Sequence, residues 1–429
     1  MMTPGWTTAF PGRWQRWPCL ALLLAAPALA GAYDFEGWTP LLDLRLRYEE
    51  VGQVPLAPDA EALTLRARLG FETPALWDTR LLAEGNVLLP FDERYRPDTA
   101  TLYRSQYPLV ADPRDHELNR LALINSSLPG TTITLGRQRI ELDDQRFVGS
   151  VGWRQNEQTY DGVRMINKSV PDLTLDASFL DRVHRAYGDD SPQGRYDGSM
   201  VLANASYGTP VGKLTGFTYL LSFDPLTHFP GLPPATAAAL NPVGLSTSTW
   251  GGRFAGARPL GPVHIGYVVS WATQQQRGDN PHHFRNDYIL GELSASWQWL
   301  EVKAGDEVMQ GNGVVGFATP LATTHAFDGW ADKFLTTPAD GLDNRYVVLA
   351  GHLPNLGTVH GLTLRTIYRS FESQRTGVSY GSEWDLQLAG TWGRFKPQLA
   401  FADYRASAGT PTTVARDTHK LFLLLDYCL

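Results

Sequence analysis

The chain has 429 residues, of which 19% are charged, and its 37 Lys and Arg against 44 Asp and Glu give a formal net charge of −7. This acidic balance argues against nucleic acid as a partner. The chain has two cysteines and no Cys/His cluster with metal-ligand spacing, so we expect neither a metal site nor a cofactor.

Residues 1–30 have the pattern of a secretory signal peptide. Arg13 and Arg16 supply the positive region, and residues 19–26 supply the apolar core. Residues 28–30 form a small-x-small cleavage site. We therefore expect the protein to be exported from the cytoplasm and this segment to be removed.

Cleavage near Ala30 would remove Cys19 and leave Cys428 as the single cysteine. One cysteine excludes an intramolecular disulfide. We expect residues 31–429 to form a single domain, in which residues 31 to about 40 are a short periplasmic lead.

The rest of the chain is built from alternating segments. No segment approaches the roughly 18 consecutive apolar residues that a membrane-spanning helix requires. Instead, apolar and polar side chains alternate over short runs that are separated by Gly, Pro, Asn and Asp, most clearly in residues 42–50 and 63–72. Such runs suit either the inside of a β-sandwich or the lipid-facing side of a barrel.

The lengths of the links separate these two architectures. An outer-membrane barrel has short periplasmic turns and longer outer loops, whereas a sandwich has no reason to alternate them. Links after odd-numbered strands are long, as in residues 92–116, 141–157, 224–245 and 310–341, and links after even-numbered strands are brief. We therefore predict an all-β fold, a single antiparallel transmembrane β-barrel of about eighteen strands in an outer membrane. The predicted strands lie near residues 41–50, 61–73, 79–89, 117–126, 131–140, 158–168, 173–184, 197–208, 213–223, 246–257, 262–273, 286–297, 300–309, 342–353, 361–372, 381–391, 395–405 and 419–429.

A barrel of this size encloses a water-filled lumen rather than a packed core. Aromatic residues near the predicted strand ends suit its two interfacial girdles. Within residues 310–341, Phe327, Trp330 and Phe334 could stack on sugar rings or pack the segment as a lid, and we favour packing. The predicted girdle residues are Trp38, Tyr48, Trp77, Tyr207, Tyr219, Trp250, Tyr267, Trp271, Trp297, Trp299 and Trp392.

Residues 131–167 form a pair of strands joined by a long polar loop, with the charge concentrated at one end. In each strand the apolar alternation changes face midway, next to Gly136 or Gly162. Because the extra residue of a β-bulge produces such a change, we predict bulges within about two residues of both glycines. The residues that these bulges would turn toward one shared face, the lumen, are Arg137, Arg139, Asp161 and Arg164.

The same hairpin carries a more specific signal. Through TITLGRQRI (132–140) and DDQRFVGSVGWRQNEQTYDGVR (143–164), the chain resembles the bacterial alginate-export family. The resemblance extends from the first strand to the C-terminus. It implies an eighteen-stranded outer-membrane barrel with an electropositive, arginine-lined constriction for an anionic polyuronate. Further matching segments are GDDSPQGRYD (188–197), GKLTGFTYLL (212–221), GFATPLATTHAFDGWADKFLTTPADGL (316–342), GSEWDLQL (381–388) and DTHK (417–420).

Fixed positive charge inside a low-dielectric wall lowers the barrier for anions, and the planar, permanently charged guanidinium pairs well with carboxylates. These properties favour an anionic solute, and together with the resemblance they predict a channel for an anionic polysaccharide or oligosaccharide of the alginate type. Inward carboxylates, including Asp43, Glu84 and Asp176, would hold the arginines in place. Strand parity assigns to the pore lining Arg45, Arg47, Arg66, Arg68, Arg137, Arg139, Asp161, Arg164, Arg253, Glu292, Arg365, Arg369, Glu383 and Asp385.

We expect the arginines of strands two, five and six to share one wall, where Asp161 would orient Arg137 or Arg164. The narrowest part of the pore would then be positive although the chain is acidic. Anion preference would be a local property of that wall.

Two other functions stay open. One is a general porin for small anions, in which the charged lumen reflects only the water that fills it. The other is an outer-membrane hydrolase, which would require His184, Ser178 and Asp176 to come together, and we expect no catalytic site. The expected partners are the acidic saccharide, outer-membrane lipid and periplasmic export proteins, and we expect the barrel to be a monomer.

Overall fold

The computed structural model describes residues 37–98, 100, 103–408, 410 and 416–429. The predicted signal peptide and the first residues of the periplasmic lead lie outside this part of the chain. Within it, no helix combines the length and the hydropathy needed to cross a bilayer.

Eighteen antiparallel strands follow one another around a closed barrel, in which each strand pairs with its neighbours in sequence and the last pairs with the first. Every strand predicted from the alternation is present, so the predicted fold class is confirmed. The strands are β1 Thr39–Gln53, β2 Ala60–Glu72, β3 Thr79–Arg94, β4 Asp115–Asn125, β5 Thr131–Gln138, β6 Thr159–Asn167, β7 Leu173–His184, β8 Arg195–Thr209, β9 Gly212–Phe223, β10 Thr247–Leu260, β11 Val263–Gln276, β12 Arg285–Trp297, β13 Leu300–Met309, β14 Leu342–Leu356, β15 Val359–Glu372, β16 Ser379–Thr391, β17 Phe395–Ala406 and β18 Thr418–Cys428.

Short turns close one end of the barrel, and long loops extend from the other. Because β1 begins and β18 ends at the short-turn end, that end is the periplasmic one. The long loops contain the one short α-helix of the described residues, α1 (Pro234–Ala239), and two 3-10 turns, Pro242–Leu245 and Thr324–Ala326. Helix α1 begins with proline, whose fixed φ suits the first helical position.

The outer face of the wall is apolar. Leu123, Leu135 and Val163 are cross-strand neighbours on β4, β5 and β6, and their side chains are 47%, 52% and 41% exposed. Tyr219 was predicted for a girdle, but it is buried in the lumen and its hydroxyl donates to Asn204. The predicted girdle residues with well-exposed side chains are Trp38, Trp77, Tyr207, Trp250, Trp271, Trp297, Trp299 and Trp392.

Two of the long loops fold into the lumen. Residues 139–158, here called the first inward loop, and residues 310–341, the second inward loop, meet at a bridge between Val148 and Leu321. Gln158 Nε2 reinforces the bridge by donating to the Leu321 carbonyl at 3.0 Å. Together the loops bury apolar side chains against one half of the barrel, among them Ile140, Leu142, Phe317, Leu321, Trp330 and Phe334.

This arrangement confirms that the aromatic residues of the second inward loop pack as a lid. Phe334 and Trp330 are 1% and 7% exposed. Phe334 lies 4.5 Å from the ring of Phe371 on β15, measured between ring centroids. Apolar burial therefore anchors the loop to the wall.

The two predicted bulges have different outcomes. The register is unbroken at Gly136 on both sides of β5, so the bulge predicted there is wrong. At Gly162 the register between β6 and β7 does shift, and the unpaired extra residue is Asp181 on β7. Gly136 instead allows β5 to approach β4 closely, since a Cβ there would collide with the Leu121 carbonyl.

Candidate functional site

The lumen faces of β1 to β6 form a charged wall on which arginines alternate with carboxylates. Arg66 Nη2 contacts Asp43 at 2.5 Å. Arg68 and Arg139 both contact Glu157, at 3.2 and 2.6 Å. Burial would raise the pKa of Glu157, but Arg68 and Arg139 outweigh burial and hold the pKa at about 2. These arginines fix the end of the first inward loop, and each already has an anionic partner.

Arg45 holds the middle of the first inward loop. Its Nη1 donates to the carbonyls of Gly152, Trp153 and Arg154, at 2.8, 3.2 and 3.1 Å, and its Nε pairs with Asp426 at 2.5 Å. The three carbonyls share the two N–H groups of Nη1, while Nε and Nη2 face the carboxylate of Asp426. Arg45 is therefore inward, as predicted, and serves to position the loop.

The remaining inward residues of the charged wall are also paired. Arg47 is 1% exposed and lies between Glu49 and Asp112. Arg164 pairs with Asp176 at 2.6 Å, so Asp161 does not orient it. The structure thus places the predicted counterions beside the arginines.

On the opposite side of the lumen, two further predicted residues, Arg253 and Glu292, also form ion pairs. Arg253 pairs with Asp144 of the first inward loop at 2.9 Å. Glu292 accepts from Tyr346 at 2.7 Å and pairs with Lys303 at 3.1 Å.

The second inward loop is held by β15 and β16. Arg369 Nη1 donates to the Phe327 carbonyl at 2.6 Å, and its Nε pairs with Asp385 at 3.4 Å. Glu383 accepts from the backbone N–H of Ala331 at 2.9 Å. Arg365 differs from the other inward arginines, because no carboxylate of the described residues lies within 4 Å of its guanidinium.

Arg137 and Asp161 do not line the pore. Because the register is unbroken at Gly136, Arg137 stays on the face of Leu135 and Leu121, the outer face. Its Nε pairs with Asp161 at 2.8 Å, and its Nη1 donates to the Leu118 carbonyl at 2.7 Å. Asp161 does orient Arg137, as predicted, but on the outside of the wall. Two polar partners spare the guanidinium from bare lipid.

The proposed hydrolase residues do not form a triad. His184 Nε2 contacts Asp161 at 2.9 Å on the outer side of the wall. Asp176 faces the lumen, where both of its carboxylate oxygens accept from Arg164. Ser178 pairs across the sheet with Arg164 and Leu202, away from His184.

On the extracellular side, the long loops enclose a cavity of about 870 Å³. Four permanently or normally cationic side chains line it, Arg154, Arg185, Lys333 and Lys420, against two carboxylates, Asp279 and Asp332. The lining is therefore positive on balance, which sets it apart from the neutralised charged wall below.

Asp332 is the centre of one side of the cavity. It contacts Lys420 at 2.5 Å, His325 at 2.7 Å and Arg154 at 3.1 Å. Burial would raise the pKa of Asp332, but Lys420 and His325, followed by Arg154, outweigh burial and hold the pKa well below its usual range. Trp153 stacks on His325 with ring centroids 3.4 Å apart, so the two inward loops contact each other here.

Two cations of the cavity have no carboxylate within 4 Å among the described residues. Arg185 donates to the Gln193 carbonyl and lies over the rings of Tyr187 and Tyr196, at 5.0 and 4.3 Å. Lys333 donates only to the neutral oxygens of Gln53 and Thr418, at 3.1 and 3.0 Å. Both cations keep charge that an entering anion can use.

Sequence reasoning did not single out these two cations. They lie in loops, where strand parity carries no information about which way a side chain faces. For Arg185, the nearby Tyr187 and Tyr196 are the signal that could have drawn attention, because arginine often lies over aromatic rings.

Comparison with known proteins supports the barrel fold, and it supports the family resemblance over one segment of the chain. Residues 112–191 match the model of the alginate export family, which confirms the resemblance over the hairpin and the strands beside it. A search of curated protein sequences found no match.

Among solved structures, OccK9 (OpdG) of Pseudomonas aeruginosa superposes with a TM-score of 0.68 at 17% identity, over 92% of this chain and 98% of that one. OpdK of the same organism, solved with vanillate, gives a TM-score of 0.66 at 16% identity, over 91% and 98% of the two chains. OccK5 (OpdH), also from Pseudomonas aeruginosa, gives 0.62 at 14% identity, over 92% and 98%. At these identities the likeness is one of fold, and the fold is that of outer-membrane porins.

Proposed function

We propose that this porin-fold barrel conducts anionic solutes across the outer membrane, with short acidic saccharides of the uronate type as its preferred class. The observation that carries the proposal is the extracellular cavity, where Arg185 and Lys333 lack carboxylate partners. An anion that enters the cavity finds fixed positive charge, and it displaces no protein carboxylate from either cation.

The charged wall contributes in a different way. Its predicted pore arginines Arg45, Arg66 and Arg68 already contact carboxylates or loop carbonyls. Removing one of them would leave a carboxylate in the lumen without its arginine, so these residues stabilise the wall and the first inward loop more than they attract solute. Arg365 on β15, which has no such partner among the described residues, is the inward arginine best able to meet an anion on its way to the periplasm.

The size and lining of the cavity favour a small solute over a long polymer. A volume of about 870 Å³ lies within the range of pockets that hold small ligands. Trp153, Tyr187 and Tyr196 also line the cavity beside the cations, so a solute that carries both a ring and a carboxylate meets apolar and charged groups together. The vanillate in the OpdK structure is also a carboxylate, which agrees with an anionic solute.

Replacing both unpaired cations, as Arg185→Gln with Lys333→Met, is expected to lower the anion-to-cation permeability ratio in planar bilayers. The decrease should be large at 10 mM salt, where the Debye length is about 30 Å, and small at 1 M, where it is about 3 Å. Reversal potentials across a salt gradient measure the ratio. The matched control is Arg405→Gln, which removes an exposed arginine that is already paired with Asp403 on the outer face.

The same channels also test the solute class. Uronate oligomers should block chloride current in the wild type at lower concentrations than neutral oligosaccharides of equal length, and the double substitution should remove this difference. If uronate and neutral oligomers block equally while anion selectivity remains, the general porin for small anions is the better description. Cation selectivity in the wild type would reject both.

Anion selectivity is also expected to fall as the pH rises through about 8. Burial and then the neighbouring Lys420 lower the pKa of Lys333 to about 8, so its ammonium is charged below that pH and neutral above it. Reversal potentials measured between pH 6.5 and 9.5 give the titration. The Lys333→Met channel should lack this step, and a step of unchanged size in that variant would show that another group is responsible.

A further inference from the structure

A second set of unpaired cations lies outside the barrel, at the extracellular end of β9 to β12. Arg277 directly follows β11, and its Nε donates to Ser222 Oγ at 3.0 Å. Arg285 is the first residue of β12, and its Nε donates to Thr273 Oγ1 at 3.2 Å. In both cases the hydroxyl of a nearby strand fixes the guanidinium through one nitrogen. The two terminal nitrogens of each arginine stay free to bind a ligand.

Other arginines at this end of the outer face are neutralised. Arg94 pairs with Asp92, Arg182 with Asp197, Arg345 with Asp343 and Arg405 with Asp403. Among the described residues, no carboxylate lies within 4 Å of Arg277 or Arg285. Neither arginine is therefore held in an ion pair within the described part of the protein.

The surface below this pair is apolar and aromatic. Trp271 and Ile289 are direct cross-strand partners, each 47% exposed, and Trp250 on β10 is 40% exposed. Exposed tryptophan marks the depth at which the acyl chains of a bilayer give way to headgroups. Arg277 and Arg285 lie on the extracellular side of these rings, so they reach the headgroups of the outer leaflet.

We propose that Arg277 and Arg285 each bind a phosphate group of an outer-leaflet glycolipid of the lipid A type, whose acyl chains lie against Trp271 and Ile289. Guanidinium groups form paired, charge-assisted hydrogen bonds to phosphate, and basic pockets beside membrane-spanning segments bind phosphorylated headgroups. The nearby apolar surface holds the chains in line with the phosphate. The site requires an outer-membrane location, and it does not depend on which solute the pore conducts.

The test uses the full-length folded barrel in detergent, titrated with fluorescent diphosphoryl lipid A. Arg277→Gln with Arg285→Gln should weaken binding by about thirtyfold, since both contributions to phosphate binding are lost. Arg405→Gln, the control whose arginine is paired, should bind as the wild type does. Heat-modifiable migration on gels establishes that each variant is folded, and if the double variant fails this check, the two single variants each carry a measurable part of the loss.

Two further probes identify the ligand. Lipid A from which both phosphates have been removed should bind the wild type and the double variant equally weakly. Inorganic phosphate should fail to displace lipid A at equal concentration, because it lacks the acyl chains. Full affinity in the double variant, equal binding of the dephosphorylated lipid to the wild type, or displacement by inorganic phosphate would each overturn the proposal.

Discussion

Replacing Arg146 by alanine is expected to release the second inward loop from the barrel wall. Arg146 is 1% exposed and joins the two inward loops to the wall, because its Nε contacts Glu307 at 2.6 Å and its Nη2 contacts Asp328 at 3.1 Å. Its guanidinium also lies 5.2 Å from the ring of Phe327. The substitution leaves two buried carboxylates without a cation, which costs about 3–5 kcal/mol.

Proton uptake moderates this cost. Burial raises the pKa of Asp328 to about 7, although Arg146 opposes the rise. Without Arg146 the pKa of Asp328 rises further, so this carboxyl becomes protonated near neutral pH and part of the penalty disappears. We therefore expect the lower end of the range at pH 6 and a larger effect at pH 8.

Single-channel conductance and limited proteolysis of residues 310–341 measure the release. The variant should show larger or more variable conductance and faster cleavage within the loop. Arg164→Ala is the matched control, since Arg164 also lines the lumen and pairs with a carboxylate, but it touches neither inward loop. Wild-type conductance together with wild-type protection from protease would show that Arg146 does not hold the loop.

Replacing Phe334 by alanine should loosen the same loop through lost packing rather than lost charge. Its ring is 1% exposed and lies 4.5 Å from Phe371, 6.0 Å from Tyr380 and 5.9 Å from Tyr404, measured between centroids. Truncation of a buried phenylalanine costs about 3–5 kcal/mol, from lost transfer free energy and the cavity left behind. The opening free energy of the loop should fall by a similar amount.

Hydrogen exchange of the amides in residues 326–340 reports this opening free energy. Phe334→Leu keeps most of the apolar volume and should give a much smaller change. The neighbouring Leu335 is 37% exposed, so Leu335→Ala serves as a control for the loop backbone. Equal exchange in Phe334→Ala and Leu335→Ala would contradict a packed lid.

The barrel itself could be predicted because the pattern that identifies each strand lies within that strand's own sequence. Each strand has one face toward lipid and one toward the lumen, so alternation as in residues 42–50 identifies both the strand and its inward side. Long and short links then fix the up-and-down order. This is why Arg66 and Arg68 were placed correctly in the lumen, as were Glu292 and Asp385.

The placement of Arg137 shows where such reasoning ends. The sequence suggested a change of face within β5 and β6, but the pairing of these two strands is regular, and the extra residues lie in the neighbouring strands, at Asp181 on β7 and Asn119 on β4. A bulge leaves a backbone carbonyl without its partner in the sheet, and a donor from another strand must replace that partner. Here Arg137 Nη1 on β5 donates to the carbonyl of Leu118 on β4. Such compensation depends on register across strands, which a single-strand pattern cannot contain.

The functional cations were missed for a related reason. Arg185 and Lys333 lie in loops whose positions depend on contacts with distant parts of the chain. Lys333, for example, reaches Gln53 and Thr418, which lie at opposite ends of the sequence. No local pattern encodes that meeting, so these residues become apparent only from the three-dimensional arrangement.

That meeting of chain ends has a consequence for assembly. Gln53 and Glu49 belong to β1, and Thr418 and Lys420 belong to β18, so the inward loops tie together the two strands that close the barrel. Lys333 can bind Gln53 and Thr418 together only after β1 has paired with β18. We therefore expect loop insertion and seam closure to be coupled during biogenesis, so that a barrel still open at the seam also has an unobstructed lumen.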